Sequence, residues 1–162
     1  MTLTALQIVD AARGLRGARW RAGGRSRHGV DCIGLVVAAY ARAGVDLGRA
    51  FGVRLPKRYD DLPQSDLVAL VERHCREVRQ AVPGSLLLMR FPRSPLPSHF
   101  AILTGAATII HAHPRVGFVA EQPYSPAYQR ITWRRWLLPG VDYGDLEAVP
   151  AVWPAPLRKR AA

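Results

Sequence analysis

Asp31-Cys32-Ile33-Gly34-Leu35 is the stretch on which the reading of this chain turns. It lies where a glycine- and arginine-rich loop, residues 21–29, gives way to apolar residues at helical spacing through Val36, Ala39, Tyr40 and Ala43. A cysteine in the first turn of a helix faces the positive end of the helix dipole and unpaired backbone N–H groups, which favour thiolate over thiol. Far downstream stand His99 and His111, the residue type that can take the proton of that thiol. Cysteine, base and orienting group are the parts of nucleophilic thiol chemistry.

Working outward, the chain divides into a helical half and a strand half. Residues Thr4 to about Arg13 form an amphipathic pattern with Leu6, Val9 and Ala12 on one face, ending at Gly14 or Gly17. The cysteine helix is expected to stop at Gly44, and residues 45–64, with Pro56 and Pro63, to be irregular. Ser65 is an expected N-cap for a helix over Asp66–Arg79, with Leu67, Leu70, Val71 and Val78 at helical spacing. Cys75 would sit in that helix as a small buried hydrophobe. After Pro83-Gly84 come short apolar runs separated by Gly and Pro: Ser85–Phe91, His99–Leu103, Ala107–Ala112, Val116–Ala120 and Gln129–Leu138. Helices first and a strand meander second make an α+β domain over residues 1–140. Residues 141–162, with Pro150, Pro154, Pro156 and a basic end, are expected to form an extended arm.

The two strands around Gly105 permit a geometric expectation. A Thr104-Gly105-Ala106 turn sets His99 opposite His111, Ala101 opposite Ile109 and Leu103 opposite Ala107. Cross-strand partners project to one face with Cβ atoms about 4.5–5.5 Å apart, close enough for one imidazole to orient the other. His113 has the same parity one pleat further on, and is a second orienter or a substrate contact. The three histidines with Cys32 can also be read as a zinc site, although no CxxC or HxxxH spacing supports it. His28 and His74 read as ordinary surface or helix residues.

Composition bounds the partners. The chain has 162 residues, 49% hydrophobic and 22% charged, the profile of one folded domain. No run reaches the roughly 18 apolar residues of a membrane span. The start, Met1-Thr2-Leu3-Thr4, has no basic and apolar leader, so synthesis in the cytoplasm without a secretion signal is expected. Only Cys32 and Cys75 are present, and a disulfide between them is not expected in a reducing compartment. The net charge of +11 is almost wholly arginine, with a series at Arg13, Arg16, Arg19, Arg21, Arg25 and Arg27. Only Trp20 interleaves with that series, too few aromatics for a nucleic-acid stacking platform, while a polyanionic surface such as a bacterial wall fits.

These residues resemble the NlpC/P60 family of cysteine peptidases. The resemblance runs from about Thr4 to Gly140. It is carried by Trp20-Arg21-Ala22-Gly23-Gly24, Gly29-Val30-Asp31-Cys32-Ile33-Gly34-Leu35, Pro83-Gly84, Ser98-His99-Phe100-Ala101-Ile102 and Ile109-Ile110-His111-Ala112. It implies a papain-like α+β fold with N-terminal helices packed on an antiparallel sheet of about five strands. It also implies Cys32 as nucleophile, His99 as general base, His111 as the residue that orients His99, and no metal or organic cofactor. Asp31 resembles the residue that pairs with the free amine of a peptidoglycan stem peptide. Trp20 stands where a tyrosine commonly lines the site, and Ile33 where a serine often contacts substrate. Arg21 or Arg25 could bind stem carboxylates. Ser85, where many members have aspartate, is expected to matter for structure only.

The implied activity is cleavage of the γ-D-glutamyl–diamino-acid bond of peptidoglycan stems. With Ile after the cysteine, the chain looks most like members encoded beside tail genes of phages and gene transfer agents. That implies tail-hub or baseplate partners and delivery in a virion-like particle to the periplasm and cell wall. Two other readings stay open: a tail-tip plug using the fold with little turnover, and thiol chemistry on another substrate, as an amidase or lipid acyl transferase.

Overall fold

In the computed structural model, which describes residues 2–55 and 64–144, Thr4 opens the first helix, α1 (Ala5–Arg13), with a reciprocal capping box to Gln7. Such a cap contributes about 1 kcal/mol. The buried stripe is Ala5, Ile8, Val9 and Ala12, while Leu6 is 59% exposed. The expected face was therefore rotated. Spacing i, i+3, i+4, i+7 runs through Ile8, and Leu6 lies off it.

The loop that follows folds into a small hairpin, β2 (Arg25–Ser26) with β3 (Gly29–Val30), and leads into α2 (Cys32–Arg42). This helix buries Leu35, Val36, Ala38, Ala39 and Tyr40. It ends in a Schellman arrangement, Val45 N–H to Tyr40 O and Gly44 N–H to Ala41 O. The left-handed φ of +87° at Gly44 makes that stop possible. A short helix, α3 (Leu47–Ala50), follows in a region expected to be irregular; the prolines at 56 and 63 lie outside the described residues.

The next helix, α4 (Gln64–His74), already contains Ser65, so that residue is not its N-cap. It ends earlier than the expected Arg79. Cys75 is buried just past its end, and Arg76–Glu77 form a strand, β4, that pairs with a distant partner. Tertiary pairing overrides helical spacing there.

The remaining strands are β5 (Leu86–Met89), β6 (His99–Gly105), β7 (Thr108–Ala112), β8 (Val119–Pro123) and β9 (Thr132–Leu137). With β4 they make a six-stranded antiparallel sheet in the order β4-β9-β5-β6-β7-β8, one strand more than the expected five or so. The first part of the expected last strand is instead a helix, α5 (Pro126–Ile131), capped by Ser125 with proline in its first turn. A separate two-stranded sheet pairs β10 (Val141–Asp142) in parallel with β1 (Leu3–Thr4). Beside it Tyr143 is buried and donates from its hydroxyl to Gly84 O. The fold thus runs through Tyr143, and the expected arm from 145 onward lies outside the described residues.

The sheet is covered on both faces. Leu86, Leu88, Phe100, Ile102, Ile110 and Trp136 pack with Ile8, Leu35 and Ala39 of the helices. On the other face Leu87, Met89, Ala101, Leu103 and Ile109 pack with Ala81 and Tyr124, joined by Tyr128 and Ile131 of α5. Two-sided burial explains why β5 reads as the unbroken run Leu-Leu-Leu-Met. Among the described residues no helix is long and apolar enough to cross a membrane.

Candidate active site

The head of α2 is fixed by backbone hydrogen bonds to one carboxylate. Asp31 accepts from Gly34 N at 2.6 Å, as the N-cap, and from Gly23 N at 2.7 Å, which ties the preceding loop to the helix. The loop lies so close that a Cβ on Gly34 would collide with Gly24 O. Asp31 is buried, with both oxygens engaged, so its first duty here is architectural.

Cys32 is partly exposed and free, as is the buried Cys75. The Cys32 thiol makes a long contact, 3.9 Å, to Ser98 O, beside the strand backbone that carries His99. Packing around the sulfur pushes its pKa up to about 11. Backbone N–H groups of Phe100, Ile33 and Cys32 itself pull the other way, and the Asp31 charge adds to the rise. Desolvation thus outweighs the helix head at this sulfur, which runs against the expected helix-stabilised thiolate.

On β6 and β7 the register differs from the expected one. Ile102 pairs with Ile110 and Leu103 with Ile109, the turn is Ala106-Ala107, and an irregularity lies between Leu103 and Gly105. The shift is two residues, so parity survives. His99 and His111 become diagonal neighbours on one face and still meet, His99 Nε2 to His111 Nδ1 at 2.8 Å, with ring planes at 73°. His113 comes close to His99 instead, ring centroids 5.1 Å apart.

Both members of the pair are buried, and both are held below the ordinary imidazole value of 6.5. Burial is the main cause for His99, followed by the charges His111 and His113 would carry, and it lies well below that value. His111 drops to about 4, again through burial first and His113 second. The Gln122 side chain pulls His111 upward but stays outside hydrogen-bonding geometry, leaving His111 Nε2 buried without a partner. A neutral pair needs one donor and one acceptor. If His99 donates from Nε2 to His111 Nδ1, its Nδ1 is left as a proton acceptor. No hydrogen bond joins His99 to the Cys32 thiol in this resting arrangement.

The other expected residues are placed as follows. Trp20 is partly buried against the helix-side core, bridged to Val30, and its backbone N–H donates to Gly117 O of the β7–β8 loop. Ile33 packs partly on the same core, and Arg21 is exposed. Arg25 lines a cavity of about 700 Å³ along the flank of α2, with Arg49 and Arg54, rather than the Cys32 surroundings. Arg13 and Arg16 of the basic series are spent on Glu121, at 2.8 and 3.3 Å, which holds that carboxyl below its usual range. Ser85 is buried and accepts from Val82 N, closing the turn before β5. His28 is exposed, and His74 stacks on Phe51 at 5.0 Å. Two residues not anticipated also belong to the site. Phe91 lies 5.6 Å from the His99 ring, and Tyr128 sits edge-on to His111 at 5.5 Å. Among the described residues no group of three or more His, Cys, Asp or Glu is arranged to hold a metal ion.

A model of the NlpC/P60 family matches residues 17–137, which include every element just described around Cys32, His99 and His111. No curated protein matches the chain. Among solved structures, the NlpC/p60 domain of the peptidoglycan hydrolase SagA is 23% identical with a TM-score of 0.56, over 84% of this chain and 100% of that one. An NlpC/P60 family protein from Bacillus cereus ATCC 10987 is 20% identical with a TM-score of 0.63, over 85% of this chain but 41% of its own. The peptidoglycan hydrolase RipB from Mycobacterium tuberculosis is 21% identical with a TM-score of 0.55, over 82% and 63%. This chain therefore spans all of the SagA domain but under half of the Bacillus protein.

Proposed function

The chain belongs to the NlpC/P60 family of cysteine peptidases, and from that premise we propose that it is an endopeptidase cutting the γ-D-glutamyl–diamino-acid bond of peptidoglycan stems. One observation carries the reading: His99 and His111 are hydrogen-bonded across β6 and β7, and the Cys32 thiol contacts the carbonyl of Ser98, the residue just before His99. In the proposed reaction, Cys32 gives its proton to His99 Nδ1 as the sulfur attacks the amide carbonyl carbon. The two start neutral, so transfer accompanies attack rather than preceding it as a stored ion pair. Backbone N–H groups at the head of α2 face the developing oxyanion. Collapse breaks the C–N bond, His99 returns the proton to the leaving amine, and a thioester remains on Cys32. Water, deprotonated by His99, then releases the acid and restores the thiol. Asp31 is the proposed contact for the substrate's amine end, Trp20 the proposed lining of the site near the oxyanion, and Arg21 and Ile33 are proposed substrate contacts beside them.

Incubation of the protein with purified peptidoglycan, with mass spectrometry of the released muropeptides, tests both activity and bond. Release of γ-D-glutamyl-ended products by wild type and none by Cys32→Ala is expected. Equal release by the two proteins would remove the enzymatic reading.

The setting we propose is a phage-like tail tip or baseplate that carries the peptidase to the wall. Its support is the resemblance around Cys32-Ile33 to tail-associated members. Co-purification with tail particles tests it, and consistent absence from them would end it. A second reading, a tail plug with little turnover, is favoured by one observation: no hydrogen bond joins the Cys32 thiol to His99 at rest. Stable incorporation into particles together with no muropeptide release would select it.

A further inference from the structure

A cavity of about 630 Å³ opens on the histidine side of the sheet, lined by Phe91, Arg93, His113, Arg115 and Tyr128 among others. That is within the roughly 300–1,000 Å³ of small-molecule sites. Its wall is also the wall of the histidine pair. The Phe91 ring lies 5.6 Å from His99 and 5.2 Å from His113, and Tyr128 meets His111 edge-on.

The chemistry of the hollow is one-sided. Two guanidinium groups line it and no carboxylate does. Neither Arg93 nor Arg115 takes part in an ion pair among the described residues, whereas Arg13, Arg16 and Arg134 do. The Arg115 backbone N–H donates to His113 Nδ1 at 3.2 Å, so the neutral ring carries its proton on Nε2 and can donate. Burial and then the Arg115 charge hold His113 below its ordinary value, which keeps it in that neutral form. Arginine recognises carboxylates through a planar fork of donors, and both arginines are exposed, free to meet a carboxylate that enters beside Phe91 and Tyr128.

We propose that this cavity is the leaving-group subsite, in which Arg93 and Arg115 bind the side-chain carboxylate of the diamino acid on the leaving half of the cleaved peptide. The assignment rests on the reading of His99 as the acid for the leaving amine. A general acid must lie within hydrogen-bond reach of the nitrogen it protonates, so the amine's own substituents extend past His99 into the hollow bordering its ring. Arg21, an expected carboxylate contact, is not part of this lining.

Two stem tetrapeptides test the subsite, one with a free side-chain carboxylate on its diamino acid and one with that group amidated. Wild type should prefer the free acid about tenfold in kcat/KM, mainly through KM, and in Arg93→Met/Arg115→Met the ratio should fall to about one. Equal hydrolysis of both by wild type, or a preference that survives in the double variant, would overturn the subsite while leaving the peptidase standing. Calorimetric binding of the free-acid peptide to Cys32→Ala, with and without the two arginine substitutions, separates the remaining cases. Arginine-dependent binding without any hydrolysis by wild type would support the carboxylate site and sink the catalytic reading. Binding that ignores the arginines would overturn the site whatever the turnover.

Discussion

The two halves of the site are held in place by different physics. At the head of α2, backbone hydrogen bonds to Asp31 and the contact of Gly34 with Gly24 O position the sulfur, and both Asp31 carboxylate oxygens are engaged. At the end of β6, ring packing positions the imidazoles: Phe91, His113 and Tyr128 surround the pair, and His111 Nε2 is left without a partner. The first half is a local device that needs few residues. The second depends on strands and a helix distant in sequence, and it buries titratable groups that water would otherwise stabilise. Desolvation is common to both, and it leaves thiol and imidazole uncharged at rest.

The largest effect expected of this contrast is on thiol reactivity. With the Cys32 pKa at about 11, alkylation by iodoacetamide should quicken about tenfold per pH unit from pH 7 to 10, since the thiolate is the nucleophile. A plateau by pH 8 would mean a stored ion pair and erase the contrast. Next comes Gly34→Ala. Its methyl would collide with the Gly24 carbonyl, and overpacking against backbone should lower stability by about 3 kcal/mol or more in denaturant titration. A loss under about 1 kcal/mol would show that the loop yields and does not fix the helix head.

The histidine half should report itself in acid. His111 is held at about 4 against an unfolded value of 6.5, so the unfolded chain binds the proton first as pH falls. Stability should be full above pH 6.5, decline from there to about pH 4 by roughly 3 kcal/mol for this residue, and then level off. His99 adds to the decline in the same direction. In His111→Gln the slope should be shallower, and an unchanged slope would mean the ring is not buried as a neutral base. Smaller still is Asp31→Ala, which removes the N-cap and the tie to Gly23. About 2 kcal/mol should be lost, and a near-neutral result would leave the loop's glycine contacts as the sole fastening.

The same contrast explains what the sequence made legible. The α2 head could be read from Gly-Val-Asp-Cys because its determinants lie within a few residues of one another. The fold class followed from periodicity, as did most strands. The hairpin turn was misplaced because Gly105 is the obvious turn former, yet the chain turns at Ala106-Ala107, a choice made by pairing along the strands. Parity rescued the histidine contact, since a shift of two residues keeps both rings on one face. The end of α4 was misread because β9 claims Arg76–Glu77. The helix α5, which brings Tyr128 to His111, did carry a signal in Ser125-Pro126, an N-cap followed by proline, masked by the apolar run into β9. The raised thiol pKa was beyond local reasoning, because the helix-head effect is visible in sequence and the packing around the sulfur is not.

The claim that the two halves act as one is tested most directly by hydrolysis of a defined stem tetrapeptide by wild type, Cys32→Ala, His99→Ala and the double variant. Each single variant should lose at least about a thousandfold in kcat, and the double should be no worse than either, as for groups that work as a unit. Retention of activity within about tenfold by His99→Ala, or any cleavage by Cys32→Ala that matches wild type, would contradict it.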